Sequence, residues 1–204
     1  MIDTKDKILD AAERAFAEHG YAAASLRGII ADAGVNLAAV HYHFGPKEEL
    51  LRAVILRRVE PVNGERLALL DAAERGGGPP LLEDVLRAFL VPTVGLAWQP
   101  GGAVFVRMMG RLYMDDILPQ LLRREFGPLM ERFDATLRRA LPELPAQELH
   151  ARVLMAIGAM AFALRSIPNT RNAAEAEAHV DRLVAFIAAG LRAPVPALAG
   201  KENC

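Results

Sequence analysis

The chain has 204 residues, 52% of them apolar, with a formal net charge of −1 and one cysteine, Cys204. That length can bury a substantial core, yet no apolar run reaches the roughly 18–20 residues of a membrane span. A lone thiol makes neither an internal disulfide nor a zinc site, and the charged start Met1-Ile2-Asp3-Thr4-Lys5 is not a signal peptide, so a soluble protein of the reducing cytoplasm is expected, with no cofactor.

Apolar positions recur at helical spacing almost throughout, and no alternating strand pattern is found. A first helix is predicted over Thr4–His19, with Ile8, Leu9, Ala12, Ala15 and Phe16 as its inner stripe and Gly20 ending it. Ser25 caps a second helix through Ala33, with Leu26, Ile29 and Ile30 inward. Gly34 makes a turn, and Asn36 caps a third helix, Leu37–Tyr42, anchored by Val40. Pro46 opens a fourth, with Leu50, Leu51, Val54 and Ile55 as its apolar face, running through Pro61 towards Arg75. Two short helices joined by a glycine turn behind a longer supporting helix are the footprint of a helix-turn-helix.

Beyond a break at Gly76–Pro80, helices are predicted over Leu81–Trp98, Ala103–Met114, Ile117–Glu125, Pro128–Leu141, Ala146–Ser166 and Ala174–Arg192. The tail from Ala193 is expected to be loose. The expected class is all-α. A helix-turn-helix DNA-binding domain occupies residues 1–50, a helical effector-binding and dimerisation domain 51–192, and a flexible tail 193–204.

Other motifs fail on geometry. His41 and His43 lie two positions apart, about 200° around a helix, so they cannot chelate one ion, and no metal site is expected. Tyr113-Met114-Asp115-Asp116 spells a polymerase tetrapeptide but falls at a helix junction, where an aspartate is a cap. The triple glycine at 76–78 follows a helix rather than a strand, so it is not a phosphate loop. Nothing supports an enzyme.

The run from Ile8 to Tyr21, with Ser25–Ile30, Ala33-Gly34-Val35-Asn36 and Val40-His41-Tyr42-His43-Phe44 leading to Lys47-Glu48-Glu49-Leu50-Leu51, closely resembles the TetR family of repressors. His41 departs from a usual tyrosine, and Gly28 from a usual polar residue. The resemblance implies a homodimer whose third helix enters the major groove of operator DNA. Arg27 then reaches a base or phosphate, and Leu37, Ala38 and Ala39 meet thymine methyls from the turn capped by Asn36. Tyr42, His43, Lys47 and the helix start at Ser25 grip phosphates, with His41 on the same face. Residues 1–60 carry eight Lys/Arg against nine Asp/Glu, an awkward balance for a DNA reader unless the acids of the first helix face elsewhere.

Residues 80–192 look, more distantly, like the fatty-acid-responsive regulators typified by PsrA. That likeness implies a small hydrophobic effector, a fatty acyl compound among the candidates, in a pocket. Its lining candidates are Trp98, Phe105, Met108, Met109, Tyr113, Met130, Phe133, Met155 and Phe162, with Arg107 or Arg111 meeting an anionic head. The small-residue stretch 156–164 and the stripe Val180–Leu191 suggest a dimer interface built from Met155, Gly158, Ala159, Phe162, Val184, Ile187 and Leu191. The alternative is that both stripes are buried within one subunit. Rival functions are an effector-independent DNA binder and a helical enzyme.

Overall fold

The computed structural model describes residues 3–112, 117–164 and 172–195. They form an all-helical protein of nine α-helices and one short 3₁₀ turn, with no strand among the described residues. The head is α1 (Thr4–Ala23), α2 (Leu26–Ala33) and α3 (Leu37–His43). A long connecting helix, α4 (Lys47–Glu74), leads to α5 (Leu82–Gly95), α6 (Gly102–Leu112), α7 (Ile117–Ala140), α8 (Ala146–Leu164) and α9 (Ala173–Arg192).

The head's boundaries follow from its punctuation. Gly20 leaves the helical region inside α1 at φ 79°, ψ 167°, which lets Tyr21 turn back until its ring lies 5.9 Å from Phe16. Ser25 Oγ accepts from the Gly28 amide at 3.1 Å and Asn36 Oδ1 from the Ala39 amide at 2.8 Å, each satisfying an otherwise unpaired donor of the first turn. Gly34 closes α2 in the left-handed region at φ 64°. Its amide bonds the Ala31 carbonyl and the Val35 amide bonds the Ile30 carbonyl, a Schellman close. Gly28 also has a packing reason, because a Cβ there would stand 3.2 Å from the capping Ser25 Oγ.

One apolar core runs from the head into the body, from Ile8 and Phe16 through Leu51 and Ile55 to Phe105, Val184 and Leu191. Helix α4 packs on α1 near its start and on α5 and α7 further along, while α6 lies against both α1 and α8. Three helices run on through a proline, α5 through Pro92 among them. α4 continues past Pro61 to Glu74, as expected, and Pro61 is exposed. Pro128 does not split the chain as predicted, for α7 passes straight through it. Pro128 is exposed, so the helical carbonyl that loses its amide partner there can turn to solvent. At the far end Arg152, 8% exposed, donates to the carbonyls of Leu191 at 3.0 Å and Pro194 at 3.2 Å, closing the C-terminus of α9.

Candidate nucleic-acid interface and effector cavity

The two capped helices α2 and α3 turn a continuous set of side chains outward. Arg27, Ala38, His41 and His43 are exposed, Leu37 is 51% exposed and Tyr42 86%. Val40 and Phe44, on the opposite side of α3, are buried and hold it to the head. Ala39 is only half-buried and packs on the core. Lys47 is drawn back. Its Nζ donates to the Ala22 carbonyl at 3.3 Å and sits 4.5 Å from the centre of the Tyr21 ring, and burial lowers its pKa. Lys47 thereby fastens the end of α1 to the start of α4 at the edge of this face.

Part of the acidic charge of residues 1–60 is paired internally, away from α3. Asp10 and Glu13 of α1 turn to α4, where Arg57 meets both at 2.8 Å and Arg58 meets Glu13 at 3.0 Å. Asp32 of α2 is held by Arg14 at 2.6 Å. Three acids and three arginines are thus neutralised against each other, which leaves the formal balance at −1 but occupies Asp10, Glu13 and Asp32.

In the body, a narrow cavity of about 50 Å³ lies between α4, α5, α6 and α7. Phe105, Met109 and Met130 line it, as the sequence suggested. So do Phe89, Thr93 and Phe126, which the sequence reading missed, and one arginine, Arg66. Arg66 is 8% exposed, donates from Nη2 to Thr93 Oγ1 at 2.6 Å and from Nη1 to Asn63 Oδ1 at 2.9 Å, and lies 4.2 Å over the Phe89 ring. A usable signal existed. Arg66 follows Val59 and Val62 at helical spacing, a single charge set in an otherwise apolar stripe.

The expected arginines lie elsewhere. Arg107 is exposed, and Arg111 donates to the Ala17 carbonyl at 3.0 Å and to the Glu18 carbonyl, fastening α6 to the end of α1. Met108 is fully buried in the core away from the cavity, and Phe133 stacks edge-on against Phe89 at 5.2 Å. Trp98 is half-exposed on the 3₁₀ turn, and Met155 and Phe162 are at the surface. None of these seven lines the cavity. Tyr113, Asp115 and Asp116 lie outside the described residues.

The α8 residues singled out for assembly do come to the surface. Met155 is 72% and Phe162 74% exposed, Gly158 is open, and Ala159 is half-buried. On α9 the expectation is overturned, since Val184, Ile187 and Leu191 are 3%, 4% and 2% exposed and pack inward. The more apolar stripe of α9 faces α5 and α8 within the same chain. Its outer face instead carries Phe186, 69% exposed, with Ala185 and Ala189 beside it.

Residues 8–54, which span α1 to the first turns of α4, match the family described as bacterial regulatory proteins, tetR family. Residues 87–190, from α5 to the end of α9, match the tetracyclin repressor-like C-terminal domain. The chain belongs to the TetR family. Over 53 residues it is 40% identical to the HTH-type transcriptional repressor AcnR of Corynebacterium efficiens, a stretch covering 26% of this chain and 28% of that protein. Its fold matches a TetR-like transcriptional regulator from Rhodococcus sp. RHA1 with TM-score 0.59 and 21% identity, over 94% of this chain and 97% of that one. It also matches PfmR, a TetR family transcriptional regulator from Thermus thermophilus, with TM-score 0.53 and 20% identity over 96% and 100%. These relatives are transcriptional regulators, not enzymes.

In this TetR-family chain, head and body meet at two ends of α6. Arg58 joins Glu13 to the Pro100 carbonyl just before α6, and Arg111 holds the end of α1 from the last turn of α6. The helix that contributes Phe105 and Met109 to the cavity is therefore tied at both ends to the supporting helix of the DNA-binding head.

Proposed function

We propose that this protein is a homodimeric repressor that binds a two-fold operator through α3 and leaves it when a small apolar effector enters the cavity between α4, α5, α6 and α7. The observation that carries the reading is α3 itself, a short helix capped by Asn36 and anchored by Val40 and Phe44 that turns Leu37, Ala38, His41, Tyr42 and His43 to solvent. Small apolar groups at its start suit thymine methyls, and the polar groups further along suit phosphates. Arg27 completes the set from α2.

Dimerisation places two such helices about one DNA turn apart, roughly 34–36 Å, so a small change in their spacing weakens binding steeply. The exposed apolar face of Met155, Phe162 and Phe186 supports a second copy packing across α8 and α9. An effector wedged against Phe105 and Met109 would press on α6, and α6 would move α1 through its two tethers. A long acyl chain would have to widen the cavity, and the flexible Met109 and Met130 are the side chains able to yield.

The test is selection of bound fragments from a random duplex library, followed by footprinting of the selected site. A symmetric footprint with half-sites one turn apart is the expected result. Binding without sequence preference would sink the proposal.

A further inference from the structure

We infer that His41 is the side chain of α3 that reads a base by hydrogen bonding, donating a ring N–H to the N7 and O6 edge of a guanine in each half-site. The inference rests on the reading of α3 as the operator-binding helix and names the base that this helix selects.

An α-helix turns about 100° per residue, so each position of α3 can be placed around its axis. With Leu37 at 0°, His41 falls near 40°, Ala38 near 100° and Tyr42 near 140°, and all four are exposed. Half-buried Ala39 and buried Val40 fall near 200° and 300°, where α3 meets the head. His43, near 240°, stands on that side, with its ring centre 6.0 Å from that of Phe44. The two histidines therefore have different surroundings. His41 shares the outward arc with Leu37 and Ala38, and His43 does not.

Within the arc, Leu37 and Ala38 offer only hydrocarbon, so hydrogen bonding falls to His41 and Tyr42. Tyr42 lies at the edge of the arc, 86% exposed, and its hydroxyl at the end of a long ring suits the phosphates beside the groove. The imidazole of His41 is shorter and stands one turn after Leu37 on the same line of the helix. It makes no hydrogen bond or ion pair with any described residue, so either tautomer keeps an N–H for the DNA.

The neighbours of that N–H decide which base it fits. Guanine presents two acceptors side by side in the major groove, N7 and O6. Adenine sets an amine donor beside its N7, and cytosine presents a donor. Thymine has one acceptor next to a methyl group, and that methyl is the partner of hydrocarbon such as Leu37 and Ala38. One donor beside an apolar surface thus reads a guanine next to the thymines.

The test is selection of bound duplexes from a random library by the full-length wild type, His41→Asn and His41→Ala, with folding checked by melting temperature. Wild type is expected to enrich guanine at one position of each half-site. His41→Asn is expected to enrich adenine there, because an amide pairs with N6 and N7 of adenine, and His41→Ala to enrich neither. In a second arm 7-deazaguanine, which lacks N7, replaces that guanine in the selected site. Wild-type affinity is expected to fall about fivefold or more, and that of His41→Ala less than about twofold. Wild-type indifference to 7-deazaguanine at every guanine of the site would overturn the inference without recourse to a variant. A folded His41→Ala protein that binds more weakly but selects the same bases would also overturn it, and would put His41 on a phosphate. If the wild type selects no sequence at all, the operator reading falls and the inference falls with it.

Discussion

Arg58 of α4 reaches Glu13 of α1 with Nη2 3.0 Å from Oε1 and Nε 3.1 Å from Oε2, and the same guanidinium donates to the Pro100 carbonyl at 2.9 Å. Glu13 is 3% exposed and shares its second oxygen with Arg57 at 2.8 Å. Three segments far apart in sequence meet at one buried carboxylate. Gly101, at φ +74°, makes room for the joint, because a Cβ there would collide with Arg58 Nη2.

Removing the charge at this joint leaves two arginines facing a neutral group. Breaking a buried pair from one side costs about 3–5 kcal/mol, and the lower figure applies because Arg57 and Arg58 are 23% and 19% exposed. Glu13→Gln is therefore expected to lower stability by about 3 kcal/mol, read from the urea midpoint. A change below about 1 kcal/mol would mean the arginines find other acceptors without cost.

The cap of α3 separates folding from DNA binding. Asn36→Ala is expected to cost about 1 kcal/mol, because the Ala39 amide loses its acceptor. Asn36→Asp keeps the acceptor and the stability but sets a negative charge beside the phosphates, so operator affinity falls while the melting temperature holds. Equal operator affinity for Asn36→Asp and wild type would place the DNA elsewhere.

Arg27 is exposed on α2, so Arg27→Ala is expected to change stability by no more than about 0.5 kcal/mol. A lost base or phosphate contact is worth about 1–3 kcal/mol and counts in each half-site. Specific binding in a gel-shift titration should collapse while the circular dichroism spectrum is unchanged. An unaltered dissociation constant would remove Arg27 from the interface.

Assembly is testable at Gly158, where an added Cβ would meet nothing within 4 Å among the described residues beyond its own helical turn. Gly158→Leu and Phe162→Glu are expected to leave the subunit folded and give monomers in sedimentation velocity. Leu191→Ala, on the inward face of α9, is expected to cost about 2–5 kcal/mol of fold stability instead. A dimer that survives both α8 changes would move the interface away from this face.

Acid sensitivity follows from the pairs that clasp the body. Hydrogen bonds from Arg192 hold the Glu83 carboxyl down to about 2, and those from Arg132 and Arg52 likewise depress Glu74 and Glu125. A carboxyl with a lower pKa folded than unfolded stabilises the fold above the ordinary value of 4.5, and that contribution is lost as pH falls through the folded pKa. The melting temperature is expected to decline between pH 4.5 and about 2, and less steeply in Glu83→Gln. Glu83 and Arg192 are 41% and 48% exposed, so this pair contributes less than about 1 kcal/mol. Parallel declines for both proteins would show that the pair does not couple to folding.

The amino-acid sequence by itself determined the helices of the head, because caps, glycine turns and apolar spacing act over three or four residues. Ser25, Gly34, Asn36 and Val40 each do in the structure what their residue type and position imply. Only the tertiary structure decided which of two plausible faces of α9 turns inward, burying Ile187 and exposing its neighbour Phe186. It also decided that Arg66, and neither Arg107 nor Arg111, stands at the cavity. A helix's own pattern says that one stripe must be covered, but not by what. The cover comes from segments up to a hundred residues away, whose placement is set by packing the whole core at once.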